Sequence, residues 1–223
     1  MNVRPLLAIG AAVVVAMLVA SGIAWTALPP DAEIPIHWNL GGEVDGTAPK
    51  ALGLLLTPAI GLVLTLVLAG VPYLDPRREH LRQSMSSYTI VCGALLVFVG
   101  AVHLGVVWAA LGNALDIARI IGVGGALLFG AIGAVIGRTR SNWIMGVRTP
   151  WTLSSERSWE RTHRLAGRLF LAAAAVMLLA TIVGGPEVVF VAIIGSVLVV
   201  TAVVVVYSYL AWRDDPEREG SKA

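Results

Sequence analysis

Of the chain's 223 residues, 57% belong to the hydrophobic set and glycine adds 24 more, while only 13% are charged and the net charge is +2. Soluble globular chains run at about 45–50% apolar with glycine counted and about 25% charged. At a mean hydropathy of +0.81, a water-soluble enzyme, a disordered tail and a nucleic-acid binder living on bulk positive charge all fit poorly. The chain reads as an integral membrane protein, and its single cysteine, Cys92, has no partner for an intramolecular disulfide.

A bilayer core roughly 30 Å thick needs about 20 consecutive apolar residues per helix. Six such runs occur, at 6–28, 51–74, 88–111, 120–137, 169–183 and 188–212. The first is longer than the apolar core of a secretory signal and ends without a small-x-small site, which favours an uncleaved anchor. The fifth is short unless Leu165 and Ala166 join it, with Arg168 reaching to the headgroups. Basic residues sort by side: Arg4, Arg77, Arg78, Arg82, Arg138, Arg140, Arg148, Arg157, Arg161, Arg164, Arg168, Arg213, Arg218 and Lys222 on one, Lys50 and Arg119 on the other, 14 against 2. Short Arg/Lys-rich loops stay in the cytoplasm, so both termini are expected there.

The expected fold is therefore all-α: six transmembrane helices, both ends inside, with an interfacial amphipathic helix before the fifth span. In chain order this gives a first span at 1–28, an extracytoplasmic loop at 29–50, and spans two to four at 51–137 with a short basic loop at 75–87. A basic motif loop and interfacial helix follow at 138–168, then the last two spans at 169–212 and a tail at 213–223. Gly122, Ala126, Gly130 and Ala134, with Gly133 and Gly137, make a small-residue stripe suited to close helix packing. His103 alone brings an ionisable group to mid-depth. It reads as neutral and hydrogen-bonded to a neighbouring helix, and the lack of buried charge argues against a pump.

Recognition then falls to the loops. The outer segment 28–50 is acidic and proline-shaped, with Gly41, Gly42 and the Asp45-Gly46 pair as turn residues, the last suited to a tight reversal. His37, Trp38 and Asn39 offer directional hydrogen bonds and a flat apolar anchor, set against the plainer reading of an interfacial tryptophan and a loop histidine. A zinc site needs more ligands than His37 and nearby carboxylates supply. In the inner loop, Pro150 forces Thr149 into an extended conformation, and Ser154 or Ser155 caps a helix with Glu156 in its first turn. Trp159, His163, Ala166 and Phe170 share one face of that helix, with arginines on the others. One reading is a plain anchor on anionic headgroups; the other is capture of a carboxylate or phosphate by Arg148, Thr149, Pro150 and Trp151.

The inner block N-W-I-M-G-V-R-T-P-W-T-L-S at 142–154, followed by Trp159, Thr162-His163 and Gly167, resembles the SdpI family of killing-factor immunity and signal-transduction membrane proteins. The outer block I-P-I-H-W-N…G…D-G…K at 34–50 is similar to the domain of unknown function that commonly precedes it, departing from that pattern at 46–49. The resemblance implies a multi-pass bacterial plasma-membrane protein that protects against a secreted toxic peptide and tethers a winged-helix transcriptional repressor. It needs no cofactor and no direct contact with nucleic acid; its partners are membrane lipids, the toxin outside and the repressor inside. It also implies an inner surface of Asn142, Gly146, Arg148, Thr149, Pro150, Trp151, Trp159 and His163, and an outer one of His37, Trp38, Asn39, Gly41, Asp45 and Lys50. No catalytic or metal-binding residue is expected. Two other classes stay open: a membrane enzyme or lipid-handling protein using His163, Glu160 and Arg148 on a phosphate-bearing substrate, and a toxin exporter, for which Thr57, Thr65, Cys92 and Ser196 are too scattered to form a polar path.

Overall fold

The computed structural model describes residues 1–217; Arg218 and Lys222, counted above with the basic side, lie outside them. Six helices are long and apolar enough to cross a membrane. In chain order the elements are α1 (Arg4–Ala27), strands β1 (Glu33–Trp38) and β2 (Val44–Pro49), and α2 (Lys50–Gly70). Then come α3 (Arg78–Gln83), α4 (Met85–Ala110), α5 (Ile117–Val135), α6 (Pro150–Leu153), α7 (Glu156–Val183) and α8 (Pro186–Arg213). Short 3-10 turns follow α2 at Val71–Leu74 and α5 at Ile136–Arg138.

Local chemistry sets the boundaries. Prolines open α1, α6 and α8, where the missing N–H has no helical partner to lose. Asp116 caps α5 by accepting from the Arg119 amide, and Ser155 caps α7 by accepting from that of Ser158. The extended outer segment pairs with itself as a β-hairpin. Its reversal lies at Asn39–Glu43, where Gly42 takes φ +81°, whereas Asp45 and Gly46 sit inside β2 at an irregularity in the ladder. The Asn39 side chain explains the difference: its Oδ1 accepts from the Glu43 amide at 3.0 Å and fixes the turn four residues early.

The stretch expected to lie along the interface is the first part of α7, which runs unbroken for 28 residues into the fifth span. The arginine-rich segment is thus one helix with the span that it begins, and its Trp159–His163 face is buried against the motif loop. The helices form two groups of three, α1/α2/α4 and α5/α7/α8, joined where α4 packs on α5. Within the first group His103 is fully buried and meets Ser21 Oγ at 2.9 Å, and that hydroxyl donates to the Leu54 carbonyl at 2.7 Å. One polar cluster thereby ties three spans, as expected for a buried polar group in an apolar bundle. Outward positions such as Val63, Leu127, Ile182 and Val191 are 59–70% exposed, as a lipid-facing surface requires.

Candidate functional site

Loops collect at two ends of the bundle. At one end stand the hairpin and the α7–α8 turn; at the other lie the 75–84 segment, the 139–155 loop and the end of α8, joined by hydrogen bonds. Among the described residues the second end carries 12 basic side chains, the 14 counted above less Arg218 and Lys222, and the hairpin end carries Lys50 and Arg119.

The motif loop is folded by its own polar atoms. Asn142 is fully buried; its Oδ1 accepts from the amides of Ile144 at 2.9 Å and Met145 at 2.7 Å, and its Nδ2 donates to the Arg140 carbonyl at 2.7 Å. Gly146 has φ +122°, and a Cβ there would run into His163 Nε2, so both conformation and space demand glycine. The Val147 amide donates to His163 Nε2 at 2.9 Å, which makes that nitrogen an acceptor and leaves Nδ1–H to donate to the Trp159 carbonyl at 2.8 Å. His163 is thus a neutral imidazole with both nitrogens engaged. Its ring stacks on Trp159 at 3.9 Å between centroids, and Trp159 Nε1 donates to the Thr139 carbonyl at 2.8 Å.

Thr149 and Thr152 form a reciprocal capping box around α6. The box and the start of α7 are latched to the end of α8 and the residues just past it: Thr149 Oγ1 donates to Ser208 Oγ at 3.0 Å, Ser158 Oγ donates to the Ser208 carbonyl at 2.8 Å, and Ser155 Oγ donates to Asp215 at 2.5 Å. Trp151 packs edge-on against Tyr209 with centroids 5.2 Å apart. From the other side Asp75, 1% exposed, accepts from the Arg77 and Trp143 amides, while Arg77 reaches Ser141 and the Leu153 carbonyl. His80 Nδ1 meets the Ser141 carbonyl at 2.9 Å, and Ser84 Oγ accepts from the Arg140 amide at 3.0 Å. These supports on the 75–84 segment escaped the motif reading. The one clue was an aspartate followed by proline within an otherwise basic loop.

The residues singled out by sequence therefore divide. Asn142, Thr149, Trp159 and His163 face inward and build the loop, Gly146 permits its turn, and Arg148, Pro150 and half-buried Trp151 are carried toward the surface beside Trp143, which is 47% exposed. Arg148 Nη1 donates to the Trp143 carbonyl at 2.6 Å, which aims its guanidinium from a fixed base. His163 and Glu160 are not assembled for acid–base work, because the imidazole has no free nitrogen to offer a substrate.

At the hairpin end, Ile34 is fully buried against Gly53, where a Cβ would overlap it; this pins the hairpin to α2. His37 Nδ1 and Asp45 Oδ1 meet at 2.5 Å with side chains 71% and 43% exposed. Asn39 lies at the turn beside Gly41, and Trp38 packs partly into the core under the hairpin. Lys50 sits apart from them. It is buried, its Nζ donating to the Leu28 carbonyl at 2.7 Å and standing 5.2 Å from the Trp25 ring centroid, so it fastens the start of α2 to the end of α1. Among the described residues no three His, Cys, Asp or Glu side chains gather into a metal-holding group.

The motif loop and the helices that carry it coincide with a family match: residues 138–208 fit the SdpI/YfhL protein family, and residues 12–62 fit a domain of unknown function, DUF1648. The chain is also 24% identical over 173 residues to the immunity protein SdpI of Bacillus subtilis (strain 168), covering 78% of this chain and 79% of that one. Through residues 138–208 this chain is similar to the SdpI/YfhL family. No solved structure matches it. The SdpI immunity family is not an enzyme family, and the six apolar helices among the described residues together with the bacterial relative support a multi-pass protein of the bacterial plasma membrane. Family and relative together support a membrane immunity protein.

Proposed function

We propose that the protein protects its cell from a secreted toxic peptide met at the hairpin end, and that its motif end faces the cytoplasm and holds a winged-helix repressor at the membrane. The observation that carries this reading is the split of the motif into inward and outward residues. Asn142, Trp159 and His163 consume their polar atoms on the backbone, and Thr149 spends its hydroxyl on that of Ser208, leaving Trp143, Arg148 and Trp151 as an aromatic and cationic surface on a rigid base. Such a surface suits an acidic patch on a protein partner, where charge complementarity sets rate and selectivity. The orientation rests on the imbalance of basic residues between the two ends. On the hairpin, the exposed His37–Asp45 pair with Asn39 and Trp38 supplies the groups that would meet a peptide; Lys50, already engaged, contributes by holding the strand end in place.

The test is a recruitment assay in cells: membrane retention of the repressor is compared between wild type and Arg148→Ala/Trp151→Ala, with toxin survival scored in the same strains. Loss of retention with survival intact supports the inner-surface assignment, and retention that persists in the double variant sinks it. Reporter cysteines at Asp45 and Arg157, in a background lacking Cys92, check the threading. An impermeant thiol reagent on intact cells should label the first and spare the second.

A further inference from the structure

Where α5 crosses α7 the two backbones touch. A Cβ on Gly133 would lie 2.9 Å from the Gly167 carbonyl oxygen, and one on Gly167 would lie 3.0 Å from that of Gly133. Only hydrogen fits between them, so the turn that ends α5 is drawn against the first turns of α7. Arg138 and Arg140 on that turn then share with Glu160 and Arg164 a polar cleft of about 260 Å³, lined as well by Trp159 and Glu156.

The charges in this cleft are poorly matched. Glu160 stands 4.0 Å from Arg140 Nη1 and 3.9 Å from Arg164 Nη2, attracted to both but beyond hydrogen-bond reach of either. Arg138 makes no ion pair among the described residues. Three guanidiniums against two carboxylates leave one positive charge in excess, with fork-shaped donors that lack acceptors.

We propose that the cleft binds the headgroup phosphate of an anionic phospholipid. Guanidinium forks match phosphate oxygens in pairs. The cleft's surroundings point to a lipid over a free ion: Arg164, Arg168 and Leu171 follow one another along a single stripe of α7. Leu171 is 49% exposed, and the stripe continues through Leu178 at 43% and Ile182 at 68%. A basic cleft that opens onto an apolar stripe suits a molecule with phosphate at one end and acyl chains at the other. The excess positive charge favours a headgroup with net negative charge over a zwitterionic one.

The full chain, purified in an uncharged detergent, is titrated with phosphatidylglycerol, phosphatidylcholine or inorganic phosphate, and binding is read by native mass spectrometry and by the melting temperature. Phosphatidylglycerol should be retained and raise the melting temperature more than phosphatidylcholine. Arg138→Gln/Arg164→Gln should weaken its binding about tenfold or more. Arg78→Gln/Arg82→Gln, an equal charge loss on another loop, should leave it within about twofold. Equal weakening in both double variants means diffuse attraction and overturns the site; equal protection by inorganic phosphate overturns the lipid. Arg138→Lys/Arg164→Lys guards against a folding failure, since it keeps the charges and removes the forks. Unchanged affinity in that pair also overturns the proposal.

Discussion

The two ends of the bundle handle polar groups in opposite ways. On the hairpin, His37 and Asp45 meet each other in the open, with 71% and 43% of their side chains exposed. In the motif loop, Asn142 and His163 are fully buried and every hydrogen bond they make goes to the backbone. A polar residue that spends its hydrogen bonds on the chain is scaffold, and one that keeps them at the surface is available to a partner. The contrast predicts that changes at the motif end act first through stability, whereas changes at the hairpin act through recognition alone.

The largest effect should come from Asn142→Ala. It strands two amides and a carbonyl in a buried loop, at about 1–3 kcal/mol for each group left unsatisfied, and should lower the melting temperature in detergent by several degrees or abolish accumulation in the membrane. A melting curve matching wild type would break the comparison at its strongest point. His163→Phe keeps a flat ring against Trp159 but leaves the Val147 amide without an acceptor. A loss of about 1–3 kcal/mol is expected, measured as the shift in unfolding midpoint, with His163→Gln retaining part of the stability.

His37→Ala and Asp45→Ala sharpen the contrast from the other side. Each removes an exposed group, and stability should stay within about 0.5 kcal/mol of wild type while survival under toxin falls. A destabilised hairpin variant would show that the pair is structural after all. The smallest effect concerns Asp215. Burial opposes its ionisation, yet the Ser155 hydroxyl, the Glu217 amide and the charges of Arg157 and Arg161 outweigh this and hold its carboxyl below the ordinary value. A carboxyl lowered in the folded state stabilises at neutral pH, and that contribution disappears as the pH falls through the folded pKa. Between about pH 6 and about pH 3, wild type should therefore lose more of its melting temperature than Asp215→Asn.

The six spans were legible because a bilayer demands long apolar runs, and that demand does not depend on what the helices touch. The hairpin was hidden because β1 carries Pro35 and β2 reads V-D-G-T-A-P, so alternation is weak and Asp45-Gly46 imitates a turn. The inner motif was legible as a block, but the division of labour within it was not. Thr149 and Ser155 find their partners at Ser208 on α8 and Asp215 just past it, and Trp143 finds Asp75 before α3. Nothing in a local pattern reveals which hydroxyl meets which distant carboxylate. Within α7 the switch from arginine-rich to apolar at Arg168 marks where the surroundings change, and the backbone passes through that boundary unaltered.

Lys50 has a practical consequence for any test of whether the hairpin binds a peptide. Its ammonium is sunk between the Leu28 carbonyl and the Trp25 ring, and the sequence holds only one other lysine, Lys222. Amine-directed cross-linkers should find no handle on the hairpin face, so a captured peptide would escape attachment by that chemistry. Carbodiimide coupling through Asp31, Glu33, Glu43 or Asp45 is the route by which a bound peptide amine could be fixed in place.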